Sequence, residues 1–168
     1  YGALKIMFET WIKTGRTSGI IRRKADSLTP KNHNTIFDQL ILDGLLNSTE
    51  WDGLEYRANK WKAYKMVGSD KIYSEPFIQT MGLDHVQVTK STFSTPKLKY
   101  TFFDEFIDMH YYLPNEFVHF QNALSSFIRD KDDVQIFLIG NTVNFICPYF
   151  REMGLTHVEK QKQGTIET

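Results

Sequence analysis

Leu98-Lys99-Tyr100-Thr101-Phe102-Phe103-Asp104-Glu105-Phe106 is the stretch whose reading decides the fold. It is a short apolar, β-favouring run that ends abruptly in two adjacent carboxylates. A buried parallel strand has this form, with its polar residues at the carboxyl end. In open α/β sheets that end faces the ligand crevice. An Asp closing such a strand can hold Mg²⁺ through water, and the Glu after it can orient or deprotonate an attacking water. An acidic turn after an ordinary core strand is the competing reading.

A second apolar run, Val134 to Ile139, ends in Gly140-Asn141-Thr142. Between the two lies a helix opened by Pro114-Asn115-Glu116, with Phe117, Phe120, Leu124, Phe127 and Ile128 on one face and Arg129 at its close. Strand, helix and strand make a βαβ unit, whose strands are expected to be parallel and whose crossover is right-handed. Asp104 and Glu105 then share a sheet edge with Asn141 and Thr142, where an amide and a hydroxyl can sense a phosphate or position a water. This is the arrangement of an additional-strand ATPase core.

Upstream, Leu4, Met7, Phe8, Trp11 and Ile12 recur at helical spacing from Tyr1 to about Thr14, and Gly15 is placed to end that helix. Ser18 to Ile21 reads as a strand followed by Arg22-Arg23-Lys24, cations that can meet phosphate or form a solvated basic turn. Pro30 opens a second helix that uses Ile36, Phe37, Leu40, Ile41 and Leu45. Glu55 to Val67 reads as a hairpin turning at Ala58-Asn59-Lys60, Phe77 to Thr80 as a strand, and Asp84 to Lys90 as a short helix. Arg57, Lys60, Lys62, Lys65 and Lys71 are interleaved with Trp61 and Tyr64; such a pattern grips a nucleic-acid backbone or guards an edge strand.

Composition bounds the rest. The 168 residues suffice for one domain with a core, and 41% hydrophobic with 14% aromatic residues exclude a disordered chain. Twenty basic residues balance twenty acidic ones, so a DNA partner must be met by a local patch. The single cysteine, Cys147, leaves no internal disulfide and no Cys-rich zinc site. No apolar run reaches membrane-spanning length. Asp104, Asp108, His110, Glu116 and His119 offer the ligand types of a metal-dependent nuclease-type hydrolase, without a spacing that fixes their geometry. His33, His85 and His157 are isolated and are expected at the surface or in caps.

Phe103-Asp104-Glu105-Phe106-Ile107, Leu113-Pro114-Asn115-Glu116, Phe127-Ile128-Arg129, Gly140-Asn141-Thr142 and Pro148-Tyr149-Phe150 resemble the DNA-packaging (encapsidation) ATPases of small tailed phages, members of the terminase-like motors. The resemblance runs from about Tyr1 to Phe150. It implies a three-layer α/β fold of the P-loop NTPase kind with a mainly parallel sheet. It also implies ATP and Mg²⁺ as ligands, and translocation of double-stranded DNA by a homo-oligomeric ring at a portal on a viral procapsid in the host cytoplasm. By the same resemblance Asp104 is the Walker B aspartate on Mg²⁺ and Glu105 the catalytic glutamate. Arg129 is the arginine that reaches a neighbouring subunit's site, Asn141 and Thr142 are the sensor or coupling motif, and Arg22 and Arg23 are a nucleotide-proximal basic pair. Arg57, Lys60, Lys62 and Lys65 are the candidate DNA contacts.

The family's phosphate loop, G-x-x-x-x-G-K-[ST], does not occur in the 168 residues. Its expected place is directly before Tyr1, and its strand belongs between the Asp104 and Asn141 strands; without it those two either keep a gap of roughly 10 Å or pair directly. A C-terminal nuclease-like domain is likewise not present, and the chain is expected to be an interior piece of the motor domain, inactive by itself. A non-enzymatic scaffold that keeps an ATPase-like sheet is the alternative.

Overall fold

The computed structural model describes residues 1–86, 95, 97–109, 111–129, 131–141, 146–155 and 157–162. Helix α1 (Gly2–Thr14) ends where the sequence places its stop, with Gly15 at φ 69 donating its N–H to the Trp11 carbonyl. Strand β1 (Thr17–Arg22) follows. The single helix expected after Pro30 is instead two short ones, α2 (Pro30–His33) and α3 (Asp38–Leu42). Between them the chain tightens into i→i+3 turns, Ile36 to His33 and Asp38 to Thr35, which rotates Phe37 and Leu40 inward together.

Strands β2 (Gly53–Arg57) and β3 (Lys60–Val67) form the expected hairpin. Ala58 and Asn59 take φ of 49 and 60, the left-handed pair that a two-residue turn matched to strand twist requires. A third strand not foreseen, β4 (Asp70–Tyr73), returns along β3 after Gly68 at φ 65. Then come β5 (Ile78–Gly82), β6 (Leu98–Asp104), α4 (Glu116–Ile128), β7 (Gln135–Ile139) and α5 (Pro148–Glu152). The helix expected over Asp84 to Lys90 is a short 3₁₀ turn at Leu83–His85, and residues 87–90 lie outside the described ones.

All seven strands join one sheet in the order β2-β3-β5-β1-β6-β7, with β4 also on β3. β5, β1, β6 and β7 are parallel; β2, β3 and β4 extend the sheet antiparallel. Because strand side chains alternate, one face presents Ile20, Phe102 and Ile78 to α1 and Phe37. The other presents Ile21, Phe103 and Met81 to Phe120 and Phe127 of α4 and Tyr149 of α5. The architecture is the three-layer α/β sandwich that the resemblance implied.

No gap is kept for the phosphate-loop strand: β6 pairs directly with β7, the second of the two expected arrangements, from Tyr100 opposite Gln135 to Asp104 opposite Ile139. Phe102 stacks on Phe137 at 4.9 Å, so ladder bonds and packing together hold the two strands side by side. Among the described residues no strand pairs with the far side of β7, where Ile136, Phe137 and Ile139 are exposed.

Two positions fix this packing tightly enough to test. A Cβ on Gly19 would lie 2.7 Å from the Phe127 ring, which is wholly buried between β1 and α4. Gly19→Ala is expected to cost about 1–3 kcal/mol in urea unfolding through this overpacking. His33, contrary to its expected surface place, is buried against the Tyr56 ring at 4.8 Å. Burial, then the nearby Arg22 charge, pull its pKa from 6.5 down to about 4, against the opposing pull of Asp104. The unfolded chain therefore binds the proton first, and stability falls as pH drops from 6.5 toward 4, by up to roughly 3 kcal/mol. His33→Phe should flatten that slope between pH 6.5 and 5, as read by urea midpoints at each pH.

Candidate carboxylate site at the sheet edge

Because β1, β5, β6 and β7 are parallel, Arg22, Gly82, Asp104 and the Gly140-Asn141 turn reach one edge of the sheet. Ile20 lies opposite Phe102, so the register carries Arg22 to Asp104 on the face that α1 covers. Arg22 donates from Nη2 to Asp104 Oδ2 and approaches Glu105 Oε2 at 3.5 Å from Nη1. The Arg22 side chain is 26% exposed, Asp104 36% and Glu105 72%, so both carboxylates open to solvent. A polar cleft of about 240 Å³ runs over them, lined also by Arg22, Arg23, Lys24, Ser27, Asp108 and Tyr111. Asp104 also borders a smaller cavity of about 180 Å³ between α1 and the sheet, with Tyr1, Leu4, Met7, His33 and Ile139.

Glu105 leaves the strand at φ 59. A left-handed non-glycine residue costs about 1 kcal/mol or more and persists only where its surroundings hold it. The holder is Arg23. One residue beyond Arg22, on the bend after β1, it turns inward, and it is 8% exposed. Its Nε donates to Glu116 Oε2 at 2.8 Å, Nη1 to the Glu105 carbonyl at 3.2 Å and to Asp108 Oδ2 at 3.3 Å, and Nη2 to the Phe106 carbonyl at 3.0 Å. Glu116, buried at the first turn of α4, also accepts from the Leu113 N–H at 2.7 Å and the Tyr149 hydroxyl at 2.8 Å. Burial pulls the Arg23 pKa down, and the bond and charge of Glu116 more than restore it, leaving it above the usual value. Burial, then the Glu116 charge, push the Tyr149 phenol far up, so it stays a donor.

Arg23 borders the same cleft as Asp104 and Glu105, with its guanidinium bonded to Glu116, Asp108 and the backbone of Glu105 and Phe106. The expected nuclease-type cluster does not assemble. Glu116 is committed to Arg23 and Tyr149, Asp108 pairs with Arg23, His110 lies outside the described residues, and no three His, Cys, Asp or Glu side chains gather at metal distances among the described residues. A Mg²⁺ ion needs less than that, since one or two carboxylates with waters and phosphate oxygens complete its shell; Asp104 and the adjacent Glu105 fit that need.

The remaining candidates scatter. Asn141 is exposed just past β7 at the same edge, and Thr142 lies outside the described residues. Arg129 is brought nowhere near Asp104: α4, about 20 Å long, carries the chain back to the opposite edge, where Asp133 meets Arg16 and Lys99. There Arg129 is exposed and its side chain makes no hydrogen bond or ion pair among the described residues. The hairpin tip with Arg57 and Lys60 sits at the Asp104 edge, because β3 runs antiparallel to β5, but β5 and β1 intervene. Lys65 pairs with Glu50 at 3.6 Å, Lys62 faces Glu55 across the ladder, and Lys71 pairs with Glu55 at 2.7 Å, so the basic hairpin is partly neutralised. The Arg23–Glu116 pair was missed; its one trace in the sequence is a Glu three residues after Leu113, placed to reach back to that N–H in the manner of a capping box.

No protein-family model and no curated protein sequence matches the chain. Solved structures do. The N-terminal domain of the DNA packaging ATPase from bacteriophage phi29 superposes with a TM-score of 0.73 at 20% identity, over 98% of this chain and 78% of that one. The Phi-28 DNA packaging motor gives 0.66 at 20% identity over 97% of this chain and 50% of that one. The Phi-29 viral genome packaging motor assembly gives 0.63 at 22% over 90% and 42%. The chain thus spans about half the length of the two motor chains and most of the isolated N-terminal domain. It has the mixed, mostly parallel α/β fold of the ATPase domain of phage DNA-packaging motors.

Proposed function

We propose that this chain is the central part of the ATPase domain of a viral DNA-packaging motor, acting in the full-length protein to couple ATP hydrolysis to translocation of double-stranded DNA. The carrying observation is the carboxylate pair Asp104-Glu105 at the carboxyl end of a central parallel strand, open to a polar cleft, in a chain with the packaging-ATPase fold. Asp104 would hold Mg²⁺ through water, in exchange for its contact with Arg22, and the ion would supply charge neutralisation for the phosphates. Glu105, more exposed and turned outward, orients and deprotonates the attacking water. Arg22 stays beside both carboxylates to meet phosphate, and Asn141 with Thr142 senses it.

The other parts follow the same reading. A phosphate loop precedes Tyr1, and its strand enters the sheet between β6 and β7 in the full-length protein; Tyr1, Asp104 and Ile139 border one cavity at that edge, which supports this path. A nuclease-like domain follows the chain. Arg129, at the edge away from its own Asp104, acts on the next subunit of a homo-oligomeric ring seated on the portal of a procapsid in the host cytoplasm. Arg57 and Lys60, at the hairpin tip, are better placed for DNA than Lys65, which pairs with Glu50, and Lys62 lies between them on β3. No helix among the described residues is long and apolar enough to cross a membrane.

Single-turnover hydrolysis by the full-length protein checks the chemistry. Glu105→Gln should bind ATP nearly as tightly as wild type and hydrolyse it ~10²–10⁴-fold more slowly, the usual worth of a general base. Asp104→Asn should weaken Mg²⁺-dependent binding as well. Wild-type hydrolysis by Glu105→Gln returns the pair to an acidic turn. Mixing Arg129→Ala with Glu105→Gln subunits checks the ring: sites built from one intact face of each should recover activity, and no recovery over either variant alone removes the trans role.

A further inference from the structure

We propose that Arg23 is a positioning residue for Glu105, holding the turn that aims the glutamate rather than touching nucleotide; the inference rests on Glu105 being the base proposed above. Arg22 is the last residue of β1 and Arg23 sits on the bend after it, so the pair is split. Arg22 meets the carboxylates themselves, whereas Arg23, on the wall of the same cleft, bonds to the backbone beside them. One guanidinium grips two successive carbonyls, Glu105 at 3.2 Å and Phe106 at 3.0 Å. They belong to the two peptides that follow the left-handed Glu105. The guanidinium's Asp108 bond reaches further along the same loop, and its face lies 4.9 Å from the Tyr112 ring.

The far end of the clamp is anchored. Nε is tied to buried Glu116, which is itself held by the Leu113 N–H and by Tyr149, a fully buried hydroxyl donor on α5. The planar five-donor fork is what makes this geometry available; a lysine offers one point charge and cannot span Glu116 and both carbonyls together. On the other side the Phe106 N–H donates to the Ile139 carbonyl at 3.3 Å, which ties the same turn to β7. The backbone under Glu105 is therefore pinned from both sides while its side chain stays 72% exposed. Fixed backbone with a free carboxylate is what a base needs to meet a water at a defined point. A displacement of about 1 Å in such a group costs on the order of 10²-fold in rate.

The test uses the full-length protein with three variants: Arg23→Lys, the pair Arg23→Met/Glu116→Gln, and Glu105→Gln as reference. The pair removes both buried charges, so neither is left uncompensated, and Gln keeps an acceptor for Leu113 and Tyr149. Single-turnover hydrolysis at saturating Mg·ATP, nucleotide affinity, and amide hydrogen exchange at Phe106 relative to the core of β6 are measured for each. The expected result is a loss of roughly 10²-fold in rate in both Arg23 variants, affinity close to wild type, and faster exchange at Phe106 with the β6 core unchanged. Folded Arg23 variants with wild-type rates, or with Phe106 protected as in wild type, overturn the proposal while a slow Glu105→Gln leaves the proposed function standing. Loss of affinity in step with rate would mark Arg23 as a nucleotide contact and also overturn it. Wild-type rates in Glu105→Gln overturn both readings, and Arg23 variants that all fail to fold reduce Arg23 to a structural residue.

Discussion

Four segments of this fold meet at one buried ion pair. Arg23 comes from the end of β1, its carbonyl partners from the turn after β6, Glu116 from the start of α4, and Tyr149 from α5. Taking both charges out of water is costly, and such a pair persists only where the remaining donors and acceptors are filled. Here they are: three of the guanidinium's nitrogens and both Glu116 oxygens have partners. Removing one member would leave the other charged and dry, at a cost of about 3–5 kcal/mol. The sheet edge, the helix that crosses over it and the carboxyl-terminal helix are thereby locked to one another at the point where the candidate site stands.

The neighbouring pair, Arg22 with Asp104, obeys different physics. Both side chains are about a quarter to a third exposed, and a salt bridge in that setting contributes about 0–1 kcal/mol. It can be given up to a cation or a phosphate at little cost. Two arginines adjacent in sequence thus sit in opposite settings, one buried and multiply bonded and one exposed and exchangeable, because Arg22 closes β1 and Arg23 turns inward on the bend after it. The arrangement gives the carboxylates a fixed backbone and a replaceable counter-charge.

The sheet is asymmetric in the same functional sense. The β2-β3-β4 extension covers the side of β5 and carries its charges in pairs, Lys71 with Glu55 and Lys65 with Glu50. β7 at the other side shows none of the usual edge protection: Gln135-Ile136-Phe137-Leu138-Ile139 has no charge and no proline, and three of its apolar side chains are exposed. An edge of that kind invites another strand.

Much of this was legible in the sequence, where the physics is local. Helical spacing of Leu4 to Ile12 with Gly15 behind it fixes α1; the apolar runs ending in Asp104 and in Gly140-Asn141 fix two parallel strands and their common edge, since a crossover helix between them leaves little other choice. The split of the Pro30 helix was not visible, because the run from Ile36 to Leu45 has helical spacing whichever way Asn34-Thr35 turns. Direct β6–β7 pairing was one of two arrangements the sequence allowed, and only the long-range ladder bonds chose between them. The roles of Arg23, Glu116 and His33 were beyond sequence reading for one reason. Whether a charged group is a ligand or a buried strut depends on which face it takes and what covers that face, and residues 93 positions apart, as Arg23 and Glu116 are, meet only when the sheet closes.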